Sequence, residues 1–271
     1  MPSAPYYINP VVITRDASQS MRPVSVHDKM RRSAGAHTAI LGANEIFRAA
    51  CDYVIVFADD ANQVLTPHAV LGVREGENLF VDPAGQWRPG CHIPAFVHRY
   101  PFIPATTEQG ELIACIDSPC LETASGKGHA LFGDNGEPSA QLAQALGQLA
   151  DFDREVRAAQ TFAKRLQELG VLVERAFRFD LTAGPGFVLN GLKIIDEARF
   201  DALDDTTLLD LARNGYFKLA VAHLISLGNL GPLMDRMAER LSTQALTSQD
   251  AADQEPAEAT TAAQPGRPEL H

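Results

Sequence analysis

Basic residues are scarce in this chain: 23 Lys and Arg stand against 34 Asp and Glu, a formal charge of −11 over 271 residues. Nucleic acid and anionic membrane surfaces both recruit through a basic face, so neither is expected as a general partner. The one tight basic cluster, Lys29, Arg31 and Arg32 beside Asp28, reads as a solvated helix end. Long apolar runs are missing too. The longest, Leu219-Ala220-Val221-Ala222 with Leu224-Ile225 after His223, is far short of the roughly 20 residues that a membrane-crossing helix needs. Residues 1–7 have neither the charged start nor the apolar core of a secretory signal. The expectation is a cytoplasmic chain with no membrane span, whose four cysteines (Cys51, Cys91, Cys115, Cys120) are reduced thiols.

Chemistry-bearing motifs are equally sparse. Cys91-His92, Cys115, Cys120 and His129 lack the close pairs of a structural zinc site, so no metal site is expected. Gly126-Lys127-Gly128 has neither the upstream glycine nor the following Ser or Thr of a phosphate loop, and Gly184-Pro185-Gly186 joins two strands instead of opening a helix. No cofactor is expected on these grounds. No Ser–His–Asp order or paired-carboxylate motif can be defended from spacing, so no catalytic residue is nominated and the reading leans away from an enzyme.

What the chain does have is a dense corner. Glu77-Asn78-Leu79-Phe80-Val81-Asp82 leads into Pro83-Ala84-Gly85, which is turn chemistry, and Trp87, the single Trp, starts the return. Phe80 and Trp87 should therefore lie close together. Next comes Ile93-Pro94-Ala95-Phe96-Val97-His98-Arg99-Tyr100-Pro101-Phe102. Pro94, Pro101 and Pro104 forbid a long helix there, so the segment is extended or irregular and lies against a core. Its backbone polar groups then need partners, and Arg99 is the natural donor to stray carbonyls or to Asp82. A buried corner pinned by Arg99 and an aromatic, Arg-lined recognition site both fit.

Along the rest of the chain, 1–25 reads as an extended arm with an edge strand and 43–52 as a helix with Ile46, Phe47, Ala50 and Cys51 on one face. Strands follow at 53–57, 69–73, 79–81 and 112–116, spaced closely enough to be antiparallel. From Pro138 to Gly170, Leu142, Leu146, Leu149, Phe152, Val156, Phe162, Leu166 and Leu169 recur at helical spacing. That helix, roughly 45 Å long at 1.5 Å per residue, packs along one face and is long enough to span two subdomains or to pair with a second copy through 139–169. A hairpin at 176–195, a helix capped by Asp205 or Thr206, and a helical pair at 216–227 and 230–241 hinged at Gly228-Asn229 complete the body. From Ser242 the composition turns to Thr, Gln, Ala, Asp, Glu and Pro, which cannot bury a core and is expected to be disordered. The fold class is α+β: 1–137 mainly β, 138–241 the long helix, hairpin and C-terminal helices of the same domain, and 242–271 a tail. His223, among apolar neighbours on its helix, is most simply a hydrogen-bonded core residue; its place before Ser226 and Asn229 keeps it a candidate.

Glu-Asn-Leu-Phe-Val-Asp at 77–82, Gly85-x-Trp87, and Ile93-Pro94-Ala95-Phe96 followed by Arg99-Tyr100-Pro101-Phe102 resemble the bacterial SapC family, named from a surface-layer gene cluster and distinct from a peptide-transport permease of the same name. Asp196-Glu197-Ala198-Arg199-Phe200 and His223-Leu224-Ile225-Ser226-Leu227-Gly228-Asn229-Leu230 look like its later signatures, and the likeness covers about residues 7–238. His98 departs from it, standing where an Arg more usually precedes Arg-Tyr-Pro-Phe. The resemblance implies an accessory protein of envelope or surface-layer biology that acts by binding a protein. The second reading it allows is an accessory of TonB-dependent nutrient uptake that binds a peptide or a halogenase- or cupin-type modifying enzyme. A third reading is a small-molecule enzyme with a pocket near Arg99 and Tyr100. The candidate binding residues are Asp82, Trp87, His98, Arg99, Tyr100, His223 and Asn229.

Overall fold

The structure, a computed structural model, describes residues 6–13, 19–21, 24–60, 63–106, 112–123, 129–133, 135–179 and 187–253. The N-terminal arm supplies β1 (Pro10–Val12) and β2 (Gln19–Met21). Helix α1 (Val26–Arg32) opens on a capping box, in which the Ser25 hydroxyl accepts the Asp28 N–H and the Asp28 carboxylate accepts the Ser25 N–H. β3 (Thr38–Ile40) and a 3-10 turn at Ala43–Glu45 lead to the one-turn helix α2 (Ile46–Ala49). The hairpin β4 (Val54–Asp59) and β5 (Leu65–Val70) precedes the corner, after which come α3 (Ala95–His98), β6 (Phe102–Thr106), β7 (Leu112–Asp117), β8 (Leu121–Thr123) and β9 (His129–Ala130). The long helix α4 (Ala140–Glu168) leads to the hairpin β10 (Leu172–Phe179) and β11 (Phe187–Ile195). Helices α5 (Glu197–Asp201), α6 (Asp205–Arg213), α7 (Tyr216–Ser226) and α8 (Leu230–Asp253) follow.

The α+β expectation holds. Among the described residues the strands form a five-stranded sheet, β10-β11-β4-β5-β3, and two three-stranded sheets, β1-β7-β6 and β8-β2-β9, every pairing antiparallel. Four consecutive residues of β4, Val54 to Phe57, are buried. Successive strand side chains point to opposite faces, so both faces of β4 are covered. Phe57 gathers the layers: its ring centroid lies 6.0 Å from that of Phe162 on α4 and 4.9 Å from that of His223 on α7. Helix α4 is capped by the Ser139 hydroxyl and buries Leu142, Leu149, Phe152, Phe162 and Leu166. Its length goes into bridging two sheets of one body, since it packs on β5 and on β6 and β7.

Local differences from the sequence reading have physical causes. The strand expected at 69–73 runs from Leu65 to Val70. Pro67 is tolerated in it because its carbonyl, and so its missing N–H, faces Leu41, past the end of β3. Beyond Val70 the ladder ends, and the His37 carbonyl takes the N–H groups of both Leu71 and Gly72. The Glu77 carbonyl sits so close to Gly72 that a Cβ there would lie 2.0 Å from its oxygen. Residues 79–81 make only a bridge, Val81 to Trp87, because the Asn78 side chain takes the Phe80 N–H and bends the chain. The helix expected at 43–52 shrinks to the 3-10 turn plus α2. Its buried face is Ile46, Ala49 and Ala50, while Phe47 and Cys51 are exposed, as a spacing of three and four requires. The cap of α6 is Asp204, whose carboxylate accepts the Thr207 N–H. Helix α8 continues past Ser242 to Asp253, so 242–253 is helical and not a disordered tail; residues 254–271, and the expected hairpin turn at 183–186, lie outside the described residues. By length and composition Tyr216–Gln244 is apolar enough to be a candidate membrane span, a length that the sequence reading, broken at His223, did not credit. Here α7 packs on β4.

Candidate functional site

The corner closes as its turn residues require. The Gly85 N–H donates to the Asp82 carbonyl at 2.9 Å, and the Asp82 carboxylate takes the Gln86 N–H at 2.8 Å. Gly85 has φ +80° with the Arg31 stem laid over it, a conformation and a clearance that both favour glycine. Phe80 and Trp87 stack with centroids 6.4 Å apart, and Tyr53 meets Phe80 edge-on at 4.6 Å. The Trp87 indole N–H donates to the Tyr53 hydroxyl at 3.3 Å, and that hydroxyl donates to the His92 carbonyl. Trp87 is thus a buried clamp. Asp82, exposed, lines a second groove against α8.

The irregular apolar segment folds as one turn of helix, α3, then a cis Tyr100–Pro101 bond, then β6. Phe96, Val97, Tyr100 and Phe102 are all buried. The Tyr100 hydroxyl donates to Asp117 at 3.1 Å and lies 3.4 Å from the Cys120 sulfur; burial first, then Cys120 and Asp117, raises its pKa. The other Asp117 oxygen accepts the N–H groups of Ile8 and Asn9, each at 2.9 Å. Tyr100 therefore belongs to a knot that fastens the N-terminal arm.

Among the described residues Arg99 reaches neither Asp82 nor a stray carbonyl, which corrects the sequence reading. Its guanidinium lies 4.6 Å from the Phe152 centroid, 4.7 Å from Phe96 and 5.7 Å from Tyr7. Its Nε is buried with no hydrogen-bond partner, and among the described residues no carboxylate pairs with it. Burial lowers its pKa, opposed chiefly by Tyr7 and Tyr6. Cation–π contacts return only about 0.5–2 kcal/mol each, while a buried unpaired ion costs several. The cage leaves a cation poised for an anion.

That cation opens on a groove of about 850 Å³ between α1, α3 and α4, lined by Lys29, Glu45, His92, His98, Arg99 and Phe152 among others. Glu45 is buried and saturated: it accepts from the N–H groups of Gly42 and Ala95, at 3.0 and 2.9 Å, and from His92 Nε2 at 2.9 Å. The Lys29 ammonium donates to the His98 carbonyl. His98 is exposed; its pKa is lowered by partial burial first, then by Lys29 and His92. Asp151 and Glu155, on the α4 wall, both pair with Arg154. Cys91 borders the groove, but burial and Asp52 raise its pKa, which keeps it a thiol and a poor nucleophile at neutral pH. No group of three or more His, Cys, Asp or Glu suited to a metal exists among the described residues.

His223 and Asn229 serve another joint. His223 is fully buried, and neither ring nitrogen makes a regular hydrogen bond, unlike the paired core histidine expected. Burial drives its pKa down to about 3, partly opposed by a backbone group of Ile55. Ser226 accepts the Ile55 N–H at 3.1 Å and donates to the His223 carbonyl at 2.6 Å. The Asn229 amide donates to the carbonyls of Ala50 and Tyr53, at 2.8 and 3.0 Å. Of the seven candidate residues, then, the groove brings together only His98 and Arg99. Glu45 and Phe152 were missed. They come from remote stretches, and the one sequence signal for Glu45 was its position three residues after Gly42 at a helix start.

The SapC family model matches residues 20–233. No curated protein and no solved structure matches the chain.

Proposed function

We propose that this chain, which belongs to the SapC family, is an accessory protein of cell-envelope biology that acts by binding, and that the groove at Arg99 receives an acidic segment of a protein partner. The observation that carries this reading is the Arg99 guanidinium, caged by three aromatic rings and, among the described residues, matched by no carboxylate. Lys29, Arg48 and His98 stand around the same groove, and a desolvated Arg–carboxylate pair is of the kind that dominates an interface. The surface-layer setting from which the family takes its name supports the envelope half of the reading.

The test is a mild pull-down from the native host with identification of the retained proteins, followed by titration of a peptide copied from the acidic segment so found. Arg99→Met keeps the apolar stem in its cage. His98→Glu introduces a negative charge at an exposed position and spares the core. Both variants are expected to lose the partner and to weaken the peptide at least tenfold, and raised salt to do the same. A partner held equally by wild type and both folded variants would sink the proposal.

The Glu45–His92 pair favours one second reading, a small-molecule acid–base enzyme using this groove, since a carboxylate-oriented imidazole is a common general base. Ligands that raise the melting temperature of wild type but not of His92→Gln would support it.

A further inference from the structure

Arg236 and Arg240, one turn apart on α8, face the Trp87 corner across a second groove of about 520 Å³, where Arg88 joins them. Arg240 is committed: it donates to the Val81 carbonyl at 2.7 Å and more weakly to that of Asn78. Arg236 is not. Its guanidinium lies 4.3 Å from the Phe80 ring centroid, and its Nη1 is buried with no hydrogen-bond partner. Arg88 is exposed, and its charge adds to burial in lowering the pKa of Arg236. Among the described residues no carboxylate pairs with Arg88, Arg236 or Arg240. The acids nearby are engaged or turned to water: Asp82 holds the Gln86 N–H, Asp52 holds the His92 N–H, and Glu239 is exposed. Two like charges thus converge over an apolar floor of Phe80 and Trp87, with Pro83 and Pro89 on the rim.

We propose that this groove binds a small organic oxyanion, a carboxylate or a phosphate monoester, with its head between Arg88 and Arg236 and its apolar body over Pro83, Trp87 and Pro89. Guanidinium groups match both heads through two parallel N–H···O bonds, and the prolines and indole give the body a dry surface. The site shares no residue with the Arg99 groove.

Trp87 is the single Trp of the chain, so its fluorescence reports directly on this groove. Phenyl phosphate and phenylacetate would be titrated into the full chain at constant ionic strength, with inorganic phosphate and benzyl alcohol as body-free and charge-free controls. The two organic anions are expected to give saturable changes, with inorganic phosphate at least tenfold weaker and benzyl alcohol silent. Saturation by only one anion fixes the head group and still supports the site. Arg236→Met, which keeps the stem on Phe80, and the surface variant Arg88→Gln should each weaken binding tenfold or more, and Arg99→Met should leave it unchanged. No saturable change in wild type, or one that survives in Arg88→Gln and in folded Arg236→Met, would overturn the proposal.

Discussion

Asn229 is one side chain holding two carbonyls, those of Ala50 and Tyr53, at the point where α2 gives way to β4. Asn229→Leu leaves both unpaired in a half-buried place. The expected cost is about 1–3 kcal/mol, read as a lower urea midpoint with an unchanged slope. His223 makes the joint sensitive to acid. Its pKa is about 3 in the fold against an ordinary 6.5, so between these values the unfolded chain binds more protons than the folded one. The stability contributed by the neutral ring is complete above about pH 6.5 and is lost as the pH falls towards 3, with a slope of up to about 1.4 kcal/mol per pH unit. His68, pushed down to about 4 by burial, adds to the same slope. His223→Phe, which keeps the stack on Phe57, should flatten the fall in melting temperature over this window; an unchanged profile would refute the assignment. The signature around His223 and Asn229 was visible in the sequence, but its job was not. An amide that caps carbonyls roughly 180 residues back leaves no local pattern.

Among the elements, α4 was the most legible, because its apolar spacing repeats for eight turns between Pro138 and Gly170. Gly147 lies on its exposed face, with nothing within 4 Å of where a Cβ would stand. Gly147→Ala should therefore stabilise the protein by about 0.5–1 kcal/mol, seen as a melting temperature raised by a few degrees. The corner was half legible. Its turn and the Phe80–Trp87 contact follow from Pro83 and Gly85, but the partners of Arg99 do not. Tyr7 and Phe152 reach it from the first strand region and from the middle of α4, and no spacing rule links positions so far apart. β5 was misplaced by a few residues: it starts at Leu65, and Pro67 is accommodated inside it because it sits where β3 has already ended.

At the scale of the molecule, the N-terminal residues without a secretory pattern and the short apolar runs led to a cytoplasmic expectation, and Tyr216–Gln244 supplies the contrary outcome to be measured. Host-cell fractionation is expected to leave the protein in the soluble fraction. Recovery in a membrane pellet that resists carbonate washing would point to that stretch instead. The five-stranded sheet is what makes the two halves of the chain one body: β11 pairs with β4, and Lys193 reaches Asp59 across 134 residues of sequence. A ribosome adds roughly 5–20 residues each second. From the moment β4 has been made, then, its bare edge waits on the order of ten seconds or more for the strand that will cover it. During that interval the nascent chain carries an apolar ribbon, Val54 to Phe57, able to pair with its neighbours on the same message. How fast this protein is translated, and what shelters it meanwhile, should matter to its yield as much as any contact in the finished fold.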